Sequence, residues 1–248
     1  MTRILLVNPN TTQAVTDVVL AEARRTAGPG VELEAVTSEF GASIVSTASE
    51  EVVAAHAMLE LLAAHHAGFD AAIAAISFDS GVFAARTLLP LPVVGITEAA
   101  LHTACLIGRR YGLVVLGTSS LPLYEDLVDR IGLRARLGAI EAVEVASRSQ
   151  YLDRALMDRA ILEAVERLAA RGGIDVAVIC GAAVAGVAHR LATRAPLPLL
   201  DGVAPALAQA EALARLKPRA PTPPQRLASD APPRGIGAAL GLLLHNPR

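Results

Sequence analysis

Tryptophan is absent from this 248-residue chain, and with four Phe and three Tyr the aromatic share is only 3%. Little is therefore available for stacking bases. The 22 Lys plus Arg against 24 Asp plus Glu leave a net charge of -2, which gives no basic footprint for a phosphate backbone. No nucleic-acid partner is expected. Cysteine is scarce too: Cys105 and Cys180 are the whole supply, far apart and without ligand-like spacing to the six His. This argues against a disulfide framework and against zinc, so no metal is expected. Long hydrophobic runs are also missing. The longest charge-free stretches, 112–124 and 176–188, fall short of the roughly 18 apolar residues a membrane span needs. No membrane partner is expected, and the opening MTRILLVNPNTT has neither the basic region nor the cleavage site of a secretory signal. The expectation is a cytoplasmic protein.

What is present is aliphatic. Hydrophobic residues make up 53% of the chain, carried by Ala, Val, Leu and Ile, which rules out disorder over most of its length and suits helices packed on buried sheets. Short β-rich runs at 4–7, 31–36, 71–76, 93–96, 113–116, 140–145, 176–179 and 197–200 alternate with helical spacing at 50–67, 98–109, 121–131 and 151–171. That alternation predicts an α/β fold with parallel sheets. It also runs twice, because small polar residues at 8–12 and 117–120 each close the first strand of a half and open a helix. Two similar Rossmann-like lobes are expected, 1–100 and 101–216. Beyond them, six Pro within 217–234 predict an extended segment, and helical spacing continues at 203–216 before it and at 236–244 after it. The apolar helix at 236–244 must dock on the body or on a neighbouring subunit, so a homo-oligomer is expected.

The third strand of each half runs into a loop of small residues, 77–81 and 181–186. Ligands in open α/β sheets bind outside the carboxyl ends of the strands, so these loops and the turns at 8–12 and 117–120 should meet in one cleft between the lobes, around a small-molecule substrate. In Asn8-Pro9-Asn10-Thr11-Thr12, Pro9 fixes the backbone, Asn8 and Asn10 offer amides, and Thr11 or Thr12 can cap the next helix. A carboxylate or imide carbonyl would be held well there. The same residue types also make plain turns and caps, and spacing alone leaves the two readings even.

The opening strand with Asn-Pro-Asn-Thr-Thr, the segment Pro-Val-Val-Gly-Ile-Thr-Glu-Ala-Ala at 92–100, the loop from Gly181 to Gly186, Asp201-Gly202-Val203 and the proline-rich tail together resemble the aspartate/glutamate/hydantoin racemase superfamily. The likeness is to its hydantoin and allantoin racemase branch and covers essentially the whole chain. It implies two α/β lobes with the site between them, no cofactor, and a pair of cysteines. One thiolate removes the substrate α-proton and the other thiol protonates the opposite face, each with a pKa lowered from about 8.5. This sequence departs from that pattern. Laying Asp79-Ser80-Gly81 on the family's Asp-Pro-Gly puts Ile76 at the first cysteine's place. Laying Ala185-Gly186 on the second motif's Ala-Gly ending puts Gly181 at the other, with Cys180 one residue early and, by strand alternation, aimed at the opposite face.

The candidate site then comprises Asn8, Asn10 and Thr11, the hydroxyls of Ser77 and Ser80, the turn Thr118, Ser119 and Ser120, the main chain at Gly181 and Ala182, and three candidate catalytic groups, Asp79, Ser77 and Cys180. Asp79 reads as a general base if buried, or as the cap of a helix beginning near Gly81. Glu98 ranks second as a base. Cys180 reads as a buried apolar thiol or, by likeness to superfamily decarboxylases that use one thiol, as the acid that protonates an enolate. Cys105 reads as core, and His189 as either near the cleft or solvated. The expected function is an isomerase or racemase-like enzyme acting on a small carboxylate, amide or cyclic imide without the thiol pair. A decarboxylase or carbon–nitrogen lyase, and a non-catalytic metabolite-binding protein, are the alternatives.

Overall fold

In β1 (Thr2–Asn8) five consecutive residues are buried, so both faces of the strand are covered, as a parallel sheet between helices demands. The computed structural model describes residues 1–218 and 233–245. After β1 the first half continues with α1 (Gln13–Thr26), β2 (Val31–Thr37), α2 (Ala48–His65), β3 (Ala71–Ala74), α3 (Val82–Leu88), β4 (Val93–Gly95) and α4 (Ile96–Ile107). The second half has β5 (Tyr111–Leu116), α5 (Leu121–Arg130), β6 (Leu137–Val143), α6 (Arg148–Leu152), α7 (Arg154–Arg171), β7 (Val176–Ile179), α8 (Val187–Leu191), β8 (Leu199–Asp201) and α9 (Val203–Leu216), and α10 (Ala238–His245) follows. Each half forms a four-stranded sheet of one order, β2-β1-β3-β4 and β6-β5-β7-β8, with every pairing parallel. The α/β fold of two similar lobes is therefore observed. The single helical stretch read at 151–171 is broken at Asp153, whose carboxylate accepts the Leu156 N–H at 3.0 Å and starts α7 afresh.

The lobes exchange helices. One face of the first sheet is covered by α1 and by α9 from the far end of the chain, with Val15, Val19, Val203 and Leu207 packed on Ile4, Leu6 and Ile73. On its other face, Met58 and Leu62 of α2 pack on Leu5, Val7 and Ala72. In the second sheet, α4 and α5 take one face, placing Leu101, Ala104 and Val128 on Leu113, Val115 and Val178, and α7 takes the other with Ile161, Val165 and Leu168. So α4 leaves the first sheet to cover the second, and α9 does the reverse. They meet where Gln209 Nε2 donates to the Ala99 carbonyl at 2.9 Å and to Thr103 Oγ1 at 3.1 Å. Fully burying each Leu or Val in these contacts stabilises the fold by roughly 1.5–3 kcal/mol.

Helix α10 returns to α2 of its own chain. Leu240 is buried, Leu243 joins the cluster beneath α2, and the Gly237 N–H donates to Glu60 Oε1 at 2.8 Å. The apolar tail finds cover within the chain, the first of the two dockings expected of it. Of the segment read as extended, 219–232 lie outside the described residues. Among the described residues no helix is long and apolar enough to cross a membrane.

Candidate active site

The turn after β1 is braced by its own side chains. Asn8, wholly buried, donates from Nδ2 to Asn10 Oδ1 at 3.1 Å, to the Thr12 carbonyl at 3.3 Å and to Thr16 Oγ1 at 3.0 Å, while its Oδ1 accepts the Asn10 N–H at 3.1 Å. Asn10 Oδ1 also accepts the Thr12 N–H at 2.9 Å, which leaves Nδ2 of Asn10 without a partner among the described residues. Thr12 Oγ1 donates to the Ser43 carbonyl at 2.8 Å and the Thr11 N–H to Ala42, which pins the loop before α2 over the turn.

Asn10, Ser77, Ser119 and Gly181, one from each of the four strand-end segments, line a single cavity of about 530 Å³ between the lobes. Ile76 and Ala182 share its wall. Asn8, Thr11, Asp79, Ser80, Thr118, Ser120 and Cys180 stand off that wall. Ser120 turns inward, its Oγ donating to the carbonyls of Gly117 at 2.7 Å and Leu116 at 3.1 Å. Thr118 is exposed. The hydroxyls of Ser77 and Ser80 are buried; that of Ser80 has no hydrogen-bond partner among the described residues, and that of Ser77, a residue of the cavity wall, lies beside the Tyr124 phenol.

The repeat fixes which residues correspond. The Ala75 N–H donates to the Val7 carbonyl at 2.8 Å, and the Cys180 N–H donates to the Val114 carbonyl at 2.8 Å. One residue on, the Ile76 carbonyl accepts the Asp79 N–H at 3.2 Å and the Gly181 carbonyl accepts the Val184 N–H at 3.1 Å. Each loop then reaches a left-handed glycine, Gly81 at φ 78° and Gly186 at φ 80°. Ile76 and Gly181 are therefore equivalents, and Cys180 corresponds to Ala75. Cys180 is packed with Phe78, Leu101 and Tyr124 on the face that α4 covers. Burial pushes its thiol well above the usual range, the Asp79 charge adds to this, and a hydrogen bond with Thr97 opposes it.

Asp79 is a cap, although of a helix far away in sequence. Its Oδ1 accepts the Thr97 N–H at 3.1 Å and its Oδ2 the Glu98 N–H at 2.7 Å, so the carboxylate closes the start of α4 rather than of the helix next to it. Thr97 Oγ1 in turn donates to the Ser77 carbonyl at 2.6 Å, linking this cap to the cavity wall. Burial raises the Asp79 carboxyl to about 7, with the Glu98 charge adding and the two N–H groups and Arg86 opposing. Glu98 is itself engaged by Arg86 at 3.1 and 2.6 Å.

Three residues of the wall carry chemistry that sequence spacing did not single out: Tyr124, Tyr151 and Arg148. Tyr124 packs its ring on Phe78 at 4.8 Å, and burial pushes its phenol well up. The Tyr151 phenol is pushed up to about 12 by burial, against the Ala183 N–H. Two of the chain's three Tyr thus stand at one cavity, and their rarity was the available signal. Among the described residues no group of three or more His, Cys, Asp or Glu is placed to hold a metal ion.

Paired parallel sheets with a polar cavity at the carboxyl ends of their inner strands define a two-lobed α/β protein built around a small-molecule site. Residues 4–210 match the family model described as Asp/Glu/Hydantoin racemase, and the chain belongs to that family. It is 29% identical to a hydantoin racemase of Rhizobium meliloti over 211 residues, 85% of this chain and 88% of the relative. The allantoin racemase from Klebsiella pneumoniae superposes with a TM-score of 0.88 at 28% identity, covering all of both chains. The allantoin racemase from Pseudomonas fluorescens gives a TM-score of 0.83 at 33% identity, over 93% of this chain and all of the other.

Proposed function

We propose that the protein is a cofactor-independent, racemase-like isomerase that acts at the α-carbon of a small hydantoin-like cyclic imide, amide or carboxylate, without a pair of thiols. The observation that carries this reading is that Ile76 and Gly181 occupy equivalent points on the cavity wall. Neither can exchange a proton. A hydrogen on carbon beside an imide or carboxylate carbonyl passes as a proton to a base, solvent hydroxide where no side chain serves, more readily once the resulting enolate oxygen is stabilised, and preorganised donors do that best. Asn10 of the cavity wall has its Nδ2 unpartnered among the described residues, and the raised phenols of Tyr124 and Tyr151 stay protonated at neutral pH.

The reading is tested by incubating the protein with enantiopure 5-substituted hydantoins in deuterium oxide, following loss of the α-proton by NMR and of circular dichroism together. The expected result is exchange with loss of optical activity, persisting after iodoacetamide treatment. Release of carbon dioxide or ammonia instead would assign a lyase, and saturable binding with neither would assign a metabolite-binding protein.

A further inference from the structure

Two charged side chains line the cavity, Glu50 and Arg148. Glu50 is committed to its own loop. Its Oε2 accepts the N–H groups of Ser46 at 2.8 Å and Thr47 at 3.0 Å and their hydroxyls at 3.1 and 2.9 Å, completing a capping box at the start of α2. Burial alone would raise its carboxyl, but these hydrogen bonds outweigh it and hold the group low, so Glu50 is an ion already surrounded by donors.

Arg148 is in the opposite condition. The guanidinium groups of Arg86, Arg134, Arg167, Arg171 and Arg190 all sit on carboxylates, whereas Arg148 is exposed at the cavity and, like several surface arginines, makes neither ion pair nor hydrogen bond among the described residues. The other lobe contributes Asn10, whose amide nitrogen is free among the described residues. A free donor from one lobe and an unneutralised cation from the other suit a ligand with a carbonyl at one end and an anion at the other.

We propose that Arg148 is a specificity-determining residue that selects substrates carrying a carboxylate on the arm away from the reacting carbon. This rests on the isomerase reading above and narrows its substrate class to anionic compounds. The arm's carboxylate meets Arg148 from the second lobe while Asn10 of the first holds the carbonyl beside the α-carbon.

The experiment compares hydantoin-5-acetate with neutral 5-propylhydantoin, using the full chain, Arg148→Gln and Arg148→Lys. Both α-proton exchange and equilibrium binding by calorimetry are measured, at low and high salt. Wild type is expected to favour the anion, and Arg148→Gln to cut that preference by about ten- to a hundredfold, chiefly through KM, as loss of a charge-assisted hydrogen bond does. Arg148→Lys should restore part of it, since a point charge lacks the fork of the guanidinium. A ratio of anion to neutral compound that Arg148→Gln does not move, or no preference in the wild type, overturns the assignment. If neither compound exchanges, the isomerase reading fails on its own. The binding data then still decide Arg148, since a salt-sensitive anion preference lost in Arg148→Gln supports it and no binding of the anion refutes it.

Discussion

Ile76 and Gly181 end equivalent strands of the two lobes and stand on the same cavity wall, while Cys180, the nearest thiol, corresponds to Ala75 and lies behind the wall. Chemistry in the cavity is accordingly expected to be independent of cysteine. Cys180→Ala should shift stability by about 1 kcal/mol, the ordinary effect of trimming a packed side chain, and leave α-proton exchange within a fewfold of wild type. Removing a true acid or base costs about a hundredfold or more. A loss of that size in a folded Cys180→Ala protein would reinstate a one-thiol mechanism.

Gly181 also leaves no room for a side chain. Its φ is 141°, and a Cβ there would lie 2.8 Å from Leu116 Cδ1 and 3.0 Å from Val184 Cγ2. Gly181→Ala and Gly181→Cys are each expected to destabilise by about 1–3 kcal/mol. Urea unfolding gives the comparison. Equal midpoints for wild type and Gly181→Ala would refute the steric argument.

The Asp79 carboxylate occupies the space that any side chain at residue 95 would need, since a Cβ on Gly95 would collide with Asp79 Cγ. Gly95→Ala should therefore unseat the cap of α4 and, through Thr97, disturb the Ser77 carbonyl. Asp79→Asn keeps the shape but can satisfy only one of the two α4 N–H groups with its oxygen. The stability loss expected from the orphaned donor is about 1–3 kcal/mol, read by thermal or urea unfolding.

Asp79 also makes stability depend on pH in a direction opposite to most carboxylates. Its folded-state carboxyl is raised from 3.8 to about 7, so between those values the folded protein binds more protons than the unfolded chain. The stabilisation this represents is complete below about pH 4 and is lost as pH rises through 7. Asp201, raised by burial, acts in the same sense, so the contribution of Asp79 is isolated by difference. Wild-type Tm is expected to fall relative to Asp79→Asn from pH 4 to 7, and parallel curves would show that the group titrates alike in both states.

Detaching the tail should leave the body folded. Leu240→Ala removes the buried contact of α10, and Glu60→Gln weakens the acceptor of the Gly237 N–H. Limited proteolysis is expected to release the C-terminal residues faster in either variant than in wild type, with little change in the main unfolding transition. Light scattering on the same samples reads the oligomeric state.

Where the sequence was most legible, a local pattern and its tertiary use coincided. The run Ile4 to Val7 is apolar on both faces because the strand is covered on both, and α9 lies at 203–216 as its spacing predicts. The equivalence of Ile76 with Gly181 rests on the backbone hydrogen bonds of the two loops. The use of Asp79 was less legible, since it caps a helix whose first N–H groups come 18 and 19 residues later. Arg148 carries no motif at all, and only the closure of α6 over the cavity gives it a role. Periodicity shows that α4 and α9 each have an apolar face. It does not say which sheet receives it, and Cys105, read as core, is only partly buried near the end of α4.

The exchange of α4 and α9 ties the order of synthesis to the order of folding. The first sheet is translated early, yet the helix that shares one of its faces with α1 is residues 203–216, among the last of the body to emerge. Until then Ile4, Leu6 and Ile73 lack half their shelter, and a nascent chain stalled near residue 200 would carry a finished set of strands with a bare apolar flank. The two lobes consequently cannot mature as independent parts, and a cut between them would strand each with the other's missing helix.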